Sequence, residues 1–144
     1  MVKLISKFGL LITILIILYL FISGNVFSTF PLVIVGQLLA VVLNIWARVS
    51  FQKGQFSVHA EPKEGTLLRT GPYKIIRHPM YAAALLFIWS SIFGHLSIMN
   101  VIIGLIGTSV AVIRIVVEEK LLKSQYPDYI QYTNKTKRII PFIF

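Results

Sequence analysis

Four apolar runs divide the chain. Residues 8–23 are nearly unbroken, and 30–47 are interrupted only by Gln37 and Asn44. Residues 80–93 are short and rich in alanine and aromatics, whereas 96–117 form a long run with Arg114 near its end. A bilayer-crossing helix needs about 20 apolar residues, within a range of about 17–25. The second and fourth runs meet that length. The first meets it when extended toward Lys7 and Gly24. The third is too short by itself, and either borrows from its flanks or forms a shallow segment paired with the fourth. The expected fold is all-α: a polytopic membrane protein of about four transmembrane helices with a cofactor pocket on its cytoplasmic side. Lys3 and Lys7 ahead of an apolar run also describe a signal peptide. No small-x-small cleavage site follows and a second span comes at once, which favours a retained first span.

The segments between the runs are equally informative. The connection from Arg48 to Pro79 contains Pro62, Gly65, Gly71 and Pro72, so it is not one long helix. A connection of that length without regular structure is usually functional. Gly71 and Pro72 predict a tight turn that a ligand can approach closely. Pro79 suits the first turn of the third helix, where its missing N–H would have been unpaired anyway. The tail from Lys120 begins helically, and Pro127 breaks or restarts that helix. Tyr126, Tyr129 and Tyr132 recur at i, i+3, i+6, which suits an amphipathic helix at the headgroup level. Residues 139–144 are apolar again and are expected to fold back onto the membrane. There is no internal repeat.

Composition supports the membrane reading: only 13% of the residues are charged, where a soluble domain carries about 25%. One domain is expected over 1–144, with two N-terminal spans in 1–47 and the motif-bearing part in 48–144. The absence of cysteine excludes disulfides, thiolate metal sites and a cysteine nucleophile. The net charge is +9, and its placement matters more than its size. All 14 basic residues fall in three segments: the first tail, the 48–79 connection, and the stretch from Arg114 to Arg138. With four spans these share one side. The opposite loops, 24–29 and 94–97, have no formal charge, so both termini are expected in the cytoplasm. The five acidic residues fall on the basic side too. Nucleic-acid binders carry basic excess on a solvated surface, whereas here it flanks apolar runs, so nucleic acid is not the expected partner.

Two clusters could carry chemistry. The first is residues 65–81, which place His78 just before a helix N-terminus at the membrane surface, where the dipole favours an anion. The plainer reading makes Arg77 and His78 interfacial anchors and Tyr73 and Tyr81 part of an aromatic belt. The second is Arg114 with Glu118 and Glu119. Arg114 and Glu118 are i, i+4 and share a helix face. An ionisable group about a turn inside an apolar run is a functional candidate, although an arginine can also snorkel to the interface and pair with Glu118. Three histidines without cysteine or a His-Glu-x-x-His helix argue against zinc, and no nucleotide phosphate-binding loop is present. Ser90, Ser91 and Thr108 read as helix-packing residues, Gln37 and Asn44 as interhelical hydrogen-bond formers, and His95 as a turn residue.

The first of these segments, Glu61-Pro-Lys-Glu-Gly-Thr-Leu-Leu-Arg-Thr-Gly-Pro-Tyr-Lys-Ile-Ile-Arg-His-Pro-Met-Tyr81, resembles the signature of the isoprenylcysteine carboxyl methyltransferase family. Glu118-Glu119-Lys-Leu-Leu, then Tyr129-Ile-Gln-Tyr132 and Arg138-Ile-Ile-Pro-Phe-Ile143, are similar to its C-terminal pattern. Phospholipid N-methyltransferases share a similar pattern. The resemblance runs from about Gln52 to the end; the first two spans match in hydropathy only. It implies S-adenosylmethionine as methyl donor, contacted by Gly65, Thr66, Leu67, Leu68, Tyr73, His78, Pro79, Met80, Tyr81 and Glu118, with His59 near a further contact. Gly65 stands where some relatives have histidine, which leaves only a backbone contact there. Arg114 corresponds to an arginine that orients the methyl acceptor. The implied acceptor is lipophilic, a carboxylate of the isoprenylcysteine type or alternatively a phospholipid amine, for which Glu119 or Tyr132 would be the proton acceptor. A non-catalytic membrane module or small transporter is the competing class; a transporter more often has deep ionisable residues and repeat symmetry.

Overall fold

The computed structural model describes residues 2–51 and 67–140, with side chains from Lys7 onward. The described residues form five α-helices and no strand: α1 (Val2–Ile22), α2 (Pro31–Val49), α3 (Pro79–Gly94), α4 (Ile98–Gln125) and α5 (Tyr129–Lys135). Each apolar run of the sequence has become one helix. Helix α4 runs a further two turns past the apolar stretch into Glu118, Glu119 and Lys120 before Pro127 ends it. Prolines open α2 and α3 at their first turn. Ser97 caps α4, its side chain accepting from the Asn100 amide, which satisfies one of the free N–H groups there.

Two of these helices, α2 and α4, are long and apolar enough to cross a membrane. Their outward faces are unlike those of a soluble core helix: Leu32, Leu38, Val42 and Ile45 on α2, and Ile98, Leu105, Ile113 and Val116 on α4, are exposed. A continuous apolar surface of this extent belongs in lipid. The chain is a membrane protein.

Helix α2 packs mainly on α3, α1 on α4, and α3 on α4. Small residues set the closest approaches, as expected where lipid offers no hydrophobic drive between helices. A Cβ on Gly36 would collide with Ser90 Oγ across the α2–α3 contact. Gln37 donates to Ser91 Oγ at 3.0 Å across the same contact, and Trp89 donates to Thr108 at 3.0 Å between α3 and α4. Asn44 does not bridge helices: it accepts from Arg48 one turn on, at 2.9 Å. At the uncharged end, Asn25 donates to Asn100 at 3.2 Å, and a His95 ring nitrogen lies 2.6 Å from the Phe27 carbonyl oxygen. His95 therefore ties two loops together rather than merely turning the chain. The tyrosine triplet also differs from expectation. Tyr126 caps α4, while Tyr129 and Tyr132 are buried against the protein and Ile130 is exposed. These rings pack edge to face on each other and Tyr132 reaches the Tyr73 carbonyl, so they belong to the core of the tail.

Candidate active site

The site begins with a bend. Gly71 has φ of +58°, the left-handed region where L side chains are strained. A Cβ there would also collide with Ser50 Oγ at the end of α2. The bend leads into a single 3-10 turn, Gly71–Lys74, that buries Pro72 and Tyr73. Ile76 and His78 follow, both buried. His78 is the N-cap of α3, but its side chain makes no capping bond. The ring is directed elsewhere.

It is directed toward a cavity of about 300 Å³ at the basic end of the helices. Tyr73, His78, Pro79, Met80 and Tyr81 form one side of it and Arg114 and Glu118 another. Leu10 and Thr13 from α1, Asn44 and Arg48 from α2, and Arg77 add to the wall. Arg114 is only 7% exposed. Its stem passes so close to α1 that a Cβ on Gly9 would stand 2.5 Å from Arg114 Cδ. Its guanidinium carbon lies 5.2 Å from the centre of the Tyr81 ring, within cation–π range. Glu118 accepts from the Tyr81 hydroxyl, and its Oε2 is 3.9 Å from His78 Nδ1. Thus α4 delivers Arg114 and Glu118 to one cavity from one face, as their spacing requires.

Glu119, the next residue, faces the tail. It is buried and lies outside the cavity wall. Arg77 Nε donates to its Oε1 at 2.8 Å and Arg138 Nε to its Oε2 at 3.1 Å. His78 Nε2 is 3.4 Å from Oε1 and makes no hydrogen bond. Tyr132 Oη donates to the Tyr73 carbonyl at 2.7 Å. Burial, partly offset by the Arg77 and Arg69 charges, pushes the Tyr132 phenol up to about 12. It stays protonated near neutral pH and works as a donor.

The structure therefore brings seven of the sequence candidates to one cavity: Tyr73, His78, Pro79, Met80, Tyr81, Arg114 and Glu118. Leu67 and Leu68 do not line it. Gly65, Thr66 and His59 lie outside the described residues, as do residues 141–144. Glu119 is held between two arginines, away from the cavity. The polar lining residues Thr13, Asn44, Arg48 and Arg77 were missed, as were apolar ones such as Leu10. Asn44 and Arg48 border the cavity, and their i, i+4 spacing at the end of an apolar run was the available signal. Arg77, read as an interfacial anchor, is a buried network residue, and nothing in its local sequence distinguishes the two.

The profile of one protein family, phospholipid methyltransferase, matches residues 26–129, well over half of the chain. That span covers Tyr73 to Tyr81 and Arg114 to Glu119. No curated protein and no solved structure matches the chain.

Proposed function

Because the chain belongs to the phospholipid methyltransferase family, and is thus a membrane methyltransferase, we propose that the cavity binds S-adenosylmethionine and that the amine of a phospholipid headgroup is methylated there. Methyltransferases of this family generally use that donor. The observation that carries the reading is convergence. Tyr73, His78, Tyr81, Arg114 and Glu118 come from separate parts of the matched region and meet at one cavity.

The residues present suit the donor. The cavity volume is at the lower end of the range for small-molecule sites, about 300–1,000 Å³. Glu118 offers a carboxylate for the ammonium of the donor's amino-acid part. The Tyr73 and Tyr81 rings offer faces to a cationic or aromatic group. His78 lines the cavity beside Glu118, with its Nδ1 3.9 Å from Glu118 Oε2, and offers a ring nitrogen on that side that a ligand can use. When bound, the donor supplies a methyl group on an electrophilic sulfonium.

The chain's own residues then have three tasks. They hold acceptor and donor in line, exclude water, and dispose of a proton. As the N–CH3 bond forms and the S–CH3 bond breaks, the amine must have lost one proton. His78, on the cavity wall beside Glu118, is the nitrogen base placed to take it. Glu119 is committed to Arg77 and Arg138, and Tyr132 to the Tyr73 carbonyl, so neither is free for that task. Arg114, with Arg48 opposite on α2, would orient the headgroup phosphate. The buried Arg114 also favours a second reading, in which it holds an acceptor carboxylate of the isoprenylcysteine type. That acceptor is already ionised and needs no base.

All four apolar helices cross the bilayer in this reading, as one domain: residues 1–47 supply two spans and 48–144 the catalytic part. The basic end, with the cavity and both termini, is cytoplasmic. Every lysine and arginine falls in the sequence segments that this topology puts on one side, which supports this orientation.

The test is incubation of the purified protein with methyl-labelled donor and either phosphatidylethanolamine vesicles or a prenylated cysteine analogue. Base-stable label in the phospholipid is expected. Base-labile methyl ester on the cysteine analogue would replace this reading with the second. Absence of donor binding, with His78→Ala and Glu118→Ala indistinguishable from wild type, would overturn both.

A further inference from the structure

We infer that Glu119 is a positioning residue for this methyl transfer: it clamps the C-terminal tail onto the segment that carries His78 into the cavity. The inference rests on the methyltransferase reading of the cavity, but its structural half stands on separate contacts.

The tail runs parallel to residues 75–78. Arg77 N donates to the Lys137 carbonyl at 2.7 Å, Lys137 N to the Ile75 carbonyl at 3.1 Å, and His78 N to the Arg138 carbonyl at 3.0 Å. This is one isolated bridge, Ile76 with Lys137, outside any sheet. Among the described residues so short a ladder has no neighbouring strand to hold it, and an isolated two-stranded pairing is at best marginally stable in water. Something else must fasten it.

Glu119 meets that need from a rigid helix. One carboxylate oxygen takes Arg77, from the first segment, and the other takes Arg138, from the second. The Arg77 guanidinium continues the fastening: its Nη1 donates to the Thr133 carbonyl at 3.2 Å and also to the Thr136 carbonyl. The Thr133 carbonyl belongs to the last turn of α5, which has no intrahelical partner for such groups. A single guanidinium thus joins α4, the end of α5 and the tail. Buried charges of this kind are costly to leave half-paired. The clamp is therefore shared: losing Glu119 removes a bond to Arg77 and a bond to Arg138 together.

The consequence falls on His78. Its backbone N–H is held by Arg138, and its ring lies between Glu118 in the cavity and Glu119 in the clamp. The two adjacent acids divide the work. Glu118 faces the ligand, and Glu119 fixes the wall that the ligand meets.

The experiment uses full-length protein in detergent, with Glu119→Gln and Arg138→Gln. The second variant leaves the Arg77–Glu119 pair in place and changes a side chain 37% exposed, so it guards against misfolding in the first. Two quantities are read: amide hydrogen exchange and the Kd for S-adenosylmethionine by calorimetry. Both variants are expected to exchange faster at Arg77, His78 and Lys137, with the interiors of α1 and α2 unchanged. Both are also expected to bind the donor about tenfold more weakly or worse, since small displacements of positioning groups have effects of that order. A purely structural role would lower the binding-competent fraction and leave the Kd of the remainder unchanged. Unchanged exchange at the tail, or a released tail with unaltered Kd, would overturn the inference. Should wild-type protein bind no donor, the methyltransferase reading of the cavity fails, and with it the positioning role; the exchange data would still show whether the clamp exists.

Discussion

Arg114 carries a charge almost entirely shielded from solvent, and its surroundings separate what that charge does from what its bulk does. The stem fills the gap left by Gly9, and the guanidinium lies over Tyr81. Arg114→Lys keeps charge but loses the planar fork that grips a phosphate or carboxylate through two bonds. It is expected to raise KM for the lipid acceptor about tenfold, a loss of roughly one charge-assisted hydrogen bond, while donor Kd stays within about twofold. Steady-state kinetics with acceptor in mixed micelles checks this. Glu118→Gln should do the reverse, weakening donor binding about tenfold with little change in acceptor KM. Binding calorimetry and kinetics on the one variant test that split. Tyr132→Phe removes the donor to the Tyr73 carbonyl; a stability loss of about 0.5–1.5 kcal/mol is expected in a detergent unfolding series.

Among the helices, the decisive contact is α2 on α3. Gly36→Leu would force the two apart at Ser90, and overpacking of this sort costs about 1–3 kcal/mol. Gly36→Ala should cost less. Part of that cost should return in the double variant with Ser90→Ala, because Ser90 Oγ is the atom the new Cβ meets first. A thermal-shift series over the four proteins measures the coupling. This scale also shows what was legible beforehand. Helix existence followed from the apolar runs, and Pro79 and Pro127 marked a start and a stop through their fixed φ and missing donor. The 3.6-residue period put Arg114 and Glu118 on one face. It could not say that Glu119, one residue on, would meet Arg138, since that pairing needs the tail to double back. The inward turn of Tyr129 and Tyr132 was hidden for the same reason: spacing defines a stripe, but not what the stripe packs against.

For the whole molecule, orientation is the property most open to measurement. The chain has no cysteine, so single cysteines report without background. Thr29→Cys, on an exposed loop position, should react with a membrane-impermeant maleimide in intact cells. Lys123→Cys, exposed near the end of α4, should react only after permeabilisation. The opposite pattern would invert the proposed topology. The cavity was only half visible at this scale. Its residues from 73–81 and 114–118 form dense motifs, but the wall supplied by Leu10, Thr13, Asn44 and Arg48 exists only once α1 and α2 are set beside α3 and α4.

The loops joining α1 to α2 and α3 to α4 hold no lysine, arginine, aspartate or glutamate and are stitched by Asn25, Asn100 and His95. That choice bears on how the protein is made. In the proposed topology each loop must be carried across the bilayer as the tip of a helical hairpin. A lysine, arginine or aspartate at the centre of the bilayer costs about 2.5–3.5 kcal/mol on insertion scales. Amide side chains avoid that toll during insertion. The Asn25–Asn100 bond forms only when the second hairpin stands beside the first, so in this topology the far-face latch closes after both loops have crossed.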